Sequence, residues 1–256
     1  MNVTEDYLRR AETILTGVFK SNRDKLNEAL GHAPHTLKDD NTVVTKFDVE
    51  LENEISSILK KFDPGVGVIG EEAGGQTRAE TFWLIDPIDG TESFTRGLPL
   101  PRNIATLVSN REPIYTLIYK FVTDEIFSAT LNKGAYRNGK RIHVSDRPLN
   151  HAWLDYSLNL KSNALINKYI TLKKNVKEIV SLKDFVRFAN GGIDAVIIDS
   201  GFGGDWDYAP RGLLYKEAGA LISNCGCDDY DYRKKSLIAA GESSYYRIKE
   251  LYEEDN

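Results

Sequence analysis

Trp83-Leu84-Ile85-Asp86-Pro87-Ile88-Asp89-Gly90-Thr91 is the stretch on which the reading of this chain turns. Residues 82–85 are short and apolar and read as a strand, with two carboxylates following at its C-terminal end. Pro87 removes a backbone donor and fixes φ, so the spacing predicts a sharp turn that aims Asp86 and Asp89 at one point. Gly90 permits close backbone approach and predicts an anion-accepting helix N-terminus toward Thr91 and Glu92. Upstream, the apolar residues 66–69 form another short strand that delivers Glu71-Glu72, and far downstream stands Trp206-Asp207. Acidic positions converging from three segments make a site for a hard cation. Oxygen ligands of this kind suit Mg²⁺, which keeps several waters and usually completes its shell with substrate phosphate.

Working outward, residues 7–30 and 48–61 carry apolar positions at i, i+3, i+4 and i+7 spacing and predict two amphipathic helices, the second with Thr45 and Asp48 at its N-terminal turn. Residues 103–109, 114–121 and 125–131 read as an antiparallel meander, and Asn138-Gly139 is a type I′ hairpin signal. After Pro148 the texture changes. Strands are expected at 152–158, 195–198, 221–223 and 236–240, and helices near 162–173, 183–189 and 208–218. No internal repeat or low-complexity linker stands out. The expected division is an N-terminal α+β half, residues 1–148, holding the main metal site, and an α/β half, residues 149–256, contributing Asp207 and the substrate pocket.

Composition narrows the function classes. The chain has 256 residues, 41% hydrophobic and 28% charged, enough for one large domain or two packed halves, since single cores stop growing near ~250–300 residues. A net charge of −5 argues against nucleic acid and anionic membrane as partners, so a phosphorylated substrate must be attracted locally. The first 20 residues lack an apolar targeting core and no apolar run approaches the ~18–20 residues that span a bilayer, which predicts a cytoplasmic, reduced setting. Cys225 and Cys227 lack the further ligands of a structural zinc and read as ordinary thiols near a turn. The acidic end Glu253-Glu254-Asp255 reads as a frayed, solvated terminus.

Taken in order, Thr45-x-x-Asp48, Gly70-Glu71-Glu72, Trp83-x-x-Asp86-Pro87-x-Asp89-Gly90-Thr91 and Trp206-Asp207 leading to Glu217-Ala218-Gly219 resemble the inositol monophosphatase family of Mg²⁺-dependent, lithium-sensitive phosphatases. The resemblance covers residues 37–219, including the hairpin around Asn138-Gly139. It implies an α+β fold, a layered α-β-α-β-α sandwich of the sugar-phosphatase type. It also implies two or three Mg²⁺ ions held by Glu71, Asp86, the Ile88 carbonyl, Asp89 and Asp207, with Glu71, Thr91 and Asp48 activating water. Gly90, Thr91, Asp89 and Asp207 are then the phosphate-binding positions, and hydrolysis runs by in-line attack of water with no covalent phosphoenzyme. That accords with a chain whose four His, at 32, 35, 143 and 151, lie away from the motifs. A homodimer is implied by the resemblance alone.

Other positions are open on the sequence. Adjacent carboxylates on an extended segment point to opposite sides, so one of Glu71 and Glu72 is expected to ligate while the other faces solvent or supports a neighbour. Trp83 and Trp206 read as packing anchors, and Lys38 either reaches a phosphate or is simply solvated. Substrate recognition departs from the family pattern. Ile179-Val180-Ser181-Leu182 lacks the family's glycine, and the glutamate that many inositol-specific members carry falls at Asp199 or Ser200. Arg96, Arg102 and Arg211 lie near the site, with Glu92 and Asp205 as carboxylates that would suit a cationic substrate. A small polyol monophosphate such as inositol monophosphate is the first reading. Histidinol phosphate or 3′-phosphoadenosine 5′-phosphate is the alternative, and a catalytically inactive metal-binding regulatory protein the reading from another class.

Overall fold

Thr4 opens the first helix by accepting a hydrogen bond from the Tyr7 amide at 3.2 Å, and α1 (Glu5–Ser21) then buries Ala11, Leu15, Val18 and Phe19 at helical spacing. The helix expected over 7–30 is in fact two, because Asn22 turns its side-chain amide onto the Val18 carbonyl (3.0 Å) and Glu54 (2.9 Å) before α2 (Arg23–Ala29) begins. The computed structural model describes residues 3–75, 79–157, 163–199 and 201–254, and it divides into two units, Met1–Ser128 and Ala129–Asn256.

In the first unit a small antiparallel pair, β1 (His35–Leu37) and β2 (Val43–Thr45), leads into α3 (Lys46–Phe62). Strands of three residues each are too short to show a periodicity in the sequence. A main sheet runs in the order β3 (Gly67–Gly70), β4 (Thr81–Asp89), β5 (Arg102–Ser109) and β6 (Glu112–Lys120), with the short helix α4 (Thr91–Thr95) between β4 and β5; the next strand, β7 (Glu125–Thr130), straddles the division between the units. β3 is parallel to β4 and β4 antiparallel to β5, while β5 with β6 is antiparallel, as the meander reading required. Trp83, Ile85, Leu107 and Leu117 of the sheet share one core with Leu15 of α1 and Ile55 of α3. Trp83 is fully buried and meets Tyr115 edge-on at 6.2 Å, as a packing anchor should.

The second unit opens with the hairpin β8 (Gly134–Arg137) and β9 (Lys140–Ile142), where Asn138 (φ 49°) and Gly139 (φ 74°) both take the left-handed conformation of a type I′ turn. Next come β10 (Trp153–Ser157), α5 (Asn163–Asn175), β11 (Glu178–Val180), α6 (Val186–Ala189), β12 (Ala195–Ile198), α7 (Asp205–Glu217), β13 (Leu221–Ser223), β14 (Leu237–Ala240) and α8 (Glu242–Glu253). The sheet order is β11-β10-β12-β14-β13, parallel on the β11-β10-β12 side and antiparallel beyond. Three readings change. The helix expected from 183 begins only at Val186, because Lys183 sits at φ 51° and cannot continue a right-handed helix. The helix expected from 208 begins at Asp205, which moves Trp206-Asp207 from a loop into a first helical turn. Glu253, read as part of a frayed end, lies in α8 and pairs with Lys249 at 3.3 Å; Leu158, Ser162, Ser200 and Asp255 lie outside the described residues.

Cys225 and Cys227 are free thiols, and burial pushes the Cys225 pKa up to about 11. Among the described residues no helix is long and apolar enough to cross a membrane.

Candidate active site

Asp86 and Asp89 do not sit on the turn that the sequence suggested: strand β4 continues through both, and the ladder to β5 is broken between them by a bulge. Asp86 is opposite Ile104 and Asp89 opposite Arg102, so three steps on β4 match two on β5. The extra residue matters because side chains alternate along a strand, and residues three apart would otherwise point to opposite faces. Ile104 and Arg102, two apart, share a face of β5, and their partners Asp86 and Asp89 therefore share a face of β4. Pro87, which has no N–H to give to the ladder, is tolerated at the irregularity, and its carbonyl accepts a 2.6 Å hydrogen bond from the buried Asn103 amide. Gly90 follows at φ 89°, and an added Cβ would lie 3.7 Å from Pro101 Cα, so conformation rather than space selects glycine there.

Beside the bulge, the Thr91 hydroxyl lies 2.9 Å from both Asp48 Oδ1 and the Ile88 carbonyl. It has one proton for two acceptors. Asp48 comes from the first turn of α3, where Thr45 and Asp48 form a reciprocal capping box; Asp48 Oδ2 accepts from the Thr45 amide (2.8 Å) and hydroxyl (2.5 Å). Burial raises the Asp48 pKa, against the lowering effect of those hydrogen bonds.

Glu71 follows β3, tied by its amide to the Ile85 carbonyl at 3.0 Å. Glu71 and Glu72 lie in a turn, not on an extended segment, so the expectation of opposite orientations fails: both carboxylates accept from Lys38 Nζ, at 3.1 and 2.7 Å. Lys38 is thus an ion-pair partner and not a solvated loop cation. Its own burial works to lower its pKa, but Glu72 and Glu71 outweigh that and raise it. The turn is stapled by buried Glu52, which accepts from the amides of Glu72 (2.8 Å) and Ala73 (2.7 Å). Gly70 makes room for that staple, since a Cβ there would come within 2.1 Å of the Glu52 carboxyl carbon.

Directly across the strand pair from Asp89, Arg102 places its Nε 2.6 Å from Asp89 Oδ2, with the arginine side chain only 3% exposed. The sequence reading grouped Arg102 with Arg96 as flanking cations. The structure separates them, because Arg96 pairs at the surface with Glu92 at 3.0 Å. The β4–β5 register that brings Arg102 to Asp89 depends on the bulge, which sequence periodicity does not encode.

In the second unit, Asp207 is the third residue of α7, and its Oδ2 accepts from the Gly204 amide at 2.7 Å. Gly204 leaves room for the Trp206 ring, which a Cβ would approach to 2.3 Å, so Trp206 also packs against its own loop. Asp199, one of the two positions to which the resemblance pointed for the recognition glutamate, accepts from the hydroxyls of Tyr156 (2.9 Å) and Tyr252 (3.1 Å). Asp205 has its pKa raised by burial, and the Arg211 guanidinium lies over the Phe185 ring at 4.9 Å.

The donor set fits a hard divalent ion. Asp86 and Asp89 are buried carboxylates on one face of β4, and carboxylate and carbonyl oxygens are what such an ion takes.

Comparison with known proteins agrees. The model of the inositol monophosphatase family matches residues 2–255. A fructose-1,6-bisphosphatase/inositol-1-monophosphatase from Aquifex aeolicus is 32% identical over 200 residues, 74% of this chain and 75% of that protein. Inositol monophosphatase 1 of Solanum lycopersicum is 28% identical, over 93% of this chain and 89% of its own. Among solved structures, the inositol monophosphatase of Thermotoga maritima superposes with a TM-score of 0.83 over 93% of this chain and 94% of its own; at 22% identity it speaks for the shared α+β fold. The chain belongs to the inositol monophosphatase family of phosphoric monoester hydrolases.

Proposed function

We propose that the protein hydrolyses the monophosphate of a small polyol such as an inositol monophosphate, with Mg²⁺ held at Asp86, the Ile88 carbonyl, Asp89, Glu71 and Asp207. The observation that carries this reading is the β4 bulge, which turns two buried aspartates to one face beside the Thr91–Asp48 pair. When bound, Mg²⁺ supplies Lewis-acid polarisation of the phosphoryl oxygens and neutralises the charge that develops on them. Asp48 accepts the hydrogen bond of the Thr91 hydroxyl, which leaves the Thr91 oxygen able to take a proton from the attacking water. Burial raises the proton affinity of Asp48 and suits it to receive that proton through Thr91. Glu71 is the second acceptor for the water, and the backbone at Gly90 and Thr91 is assigned to the phosphate on the family resemblance. A solved relative described as an inositol monophosphatase/NADP phosphatase complexed with Mg²⁺ and phosphate supports the metal and the ligand class.

One further substrate stands beside the polyol monophosphate, because the Aquifex relative carries fructose-1,6-bisphosphatase in its name. The test is Mg²⁺-dependent phosphate release from inositol monophosphates, fructose bisphosphate, histidinol phosphate and 3′-phosphoadenosine 5′-phosphate. The expected result is fastest turnover of an inositol monophosphate. Silence across the panel would favour a regulatory protein without turnover.

A further inference from the structure

We propose that Arg102 is a positioning residue for Asp89: its buried guanidinium fixes the aspartate's carboxylate in the orientation that takes up the divalent cation. This rests on the metal reading above, and goes beyond it by naming a cationic side chain as part of what builds an anionic site.

Two neighbouring residues of β5 hold the bulged stretch of β4. Asn103 holds the Pro87 carbonyl at 2.6 Å, and Arg102 holds Asp89 Oδ2 at 2.6 Å. Both side chains are buried, so neither can be replaced by water at little cost. Asp89 stands directly opposite Arg102 in the ladder, which makes the pair a cross-strand contact set by the register rather than a chance approach of two flexible chains. The guanidinium is permanently charged, and at 2.6 Å in a buried setting its attraction holds the Asp89 carboxylate in place. The contact engages one carboxylate oxygen, and partners of this kind orient a ligating carboxylate toward its ion. A cation this close also offsets repulsion between Asp89 and its acidic neighbours before any metal arrives, which favours a preformed arrangement.

The opposing possibility is that Arg102 competes with the metal for Asp89. The two make opposite predictions for Arg102→Leu, read by calorimetric titration of the full chain with MgCl₂ in the absence of substrate. Positioning predicts Mg²⁺ affinity weaker by about tenfold to a hundredfold. Unchanged or tighter binding would overturn the proposal. Arg102→Lys keeps the charge but loses the planar fork, and is expected to fall between the wild type and Arg102→Leu; it carries the test if Arg102→Leu is too unstable to titrate, and wild-type affinity in Arg102→Lys would then refute the role. The rise in Tm on adding Mg²⁺ gives a second readout. A purely structural arginine would lower the metal-free Tm and leave that rise intact, whereas a positioning arginine diminishes it. A wild-type chain that takes up no Mg²⁺ would remove the metal reading and this inference together, while equal uptake by wild type and Arg102→Leu would remove this inference alone.

Discussion

Around β4 in the first unit, acidic side chains crowd one neighbourhood and meet cations: Asp89 faces Arg102, and Glu71 and Glu72 share Lys38. In the second unit, several acidic side chains each close a piece of local structure, and Asp207, which takes the Gly204 amide, is the one proposed for the metal. Glu217 accepts from the amides of Asn132 and Gly134, both at 2.7 Å, and pins the approach to the β8–β9 hairpin. Asp194 accepts from Arg147 and from the Trp153 amide, both at 2.7 Å, at the start of β10. Asp199 takes two tyrosine hydroxyls. A carboxylate that satisfies backbone amides contributes to folding, whereas carboxylates gathered within reach of one another repel unless a cation intervenes. The contrast teaches which acids to assign to chemistry and which to architecture. Glu52 shows that the distinction follows partners and not address, since it lies in the first unit and yet acts as a staple for the Glu72–Ala73 turn.

The contrast breaks most visibly at Asp89. Asp89→Asn keeps size and shape but removes the charge, and kcat/KM is expected to fall by well over about a hundredfold, more than loss of a residue that merely supports a ligand costs. Circular dichroism should show an intact fold; near-normal turnover would sink the assignment. Glu217→Ala should do the reverse. Losing two backbone acceptor contacts at a partly exposed site is expected to cost about 2 kcal/mol, or a Tm lower by roughly 4–8 °C, with turnover per folded molecule and its Mg²⁺ dependence unchanged. A loss of turnover without a loss of stability would erase the distinction between the two regions.

The smallest effect is a pH slope at Asp155, in the second unit, whose pKa is raised by burial against the lowering influence of the Leu182 amide and Arg211. With the folded pKa above the unfolded one, the folded state holds its proton longer. Stability therefore falls as pH rises from the unfolded pKa, near ~3.9, to the folded value, and is level above it. Asp155→Asn should flatten that window in urea denaturation series run at successive pH values, while parallel curves for wild type and variant would contradict it.

Much of the fold was readable because burial periodicity and turn chemistry are local signals. The Asn138-Gly139 turn, the 195–198 strand and the Thr45–Asp48 cap stand where the sequence put them. The misreadings arose where a distant partner decides. Asn22 splits a periodic helix by reaching Val18 and Glu54, and Lys183 delays α6 through a left-handed backbone that its residue type does not announce. In the site, the motif picked out Asp86, Asp89, Thr91 and Asp48, and the structure brings Thr91 and Asp48 into hydrogen-bond contact. The bulge was hidden, since Pro87 and Gly90 signal a turn as readily as a ladder irregularity. Arg102 was hidden with it, because only the register shift sets it opposite Asp89.

The aspartates of the β4 bulge are proposed to bind the divalent cation that the chemistry requires. Calorimetric titration of the wild-type chain and of Asp89→Asn with MgCl₂, in the presence of inorganic phosphate, tests it most directly. Saturable uptake by the wild type that is lost or severely weakened in Asp89→Asn is the predicted result; equal heats in the two proteins, or none in the wild type, would contradict it.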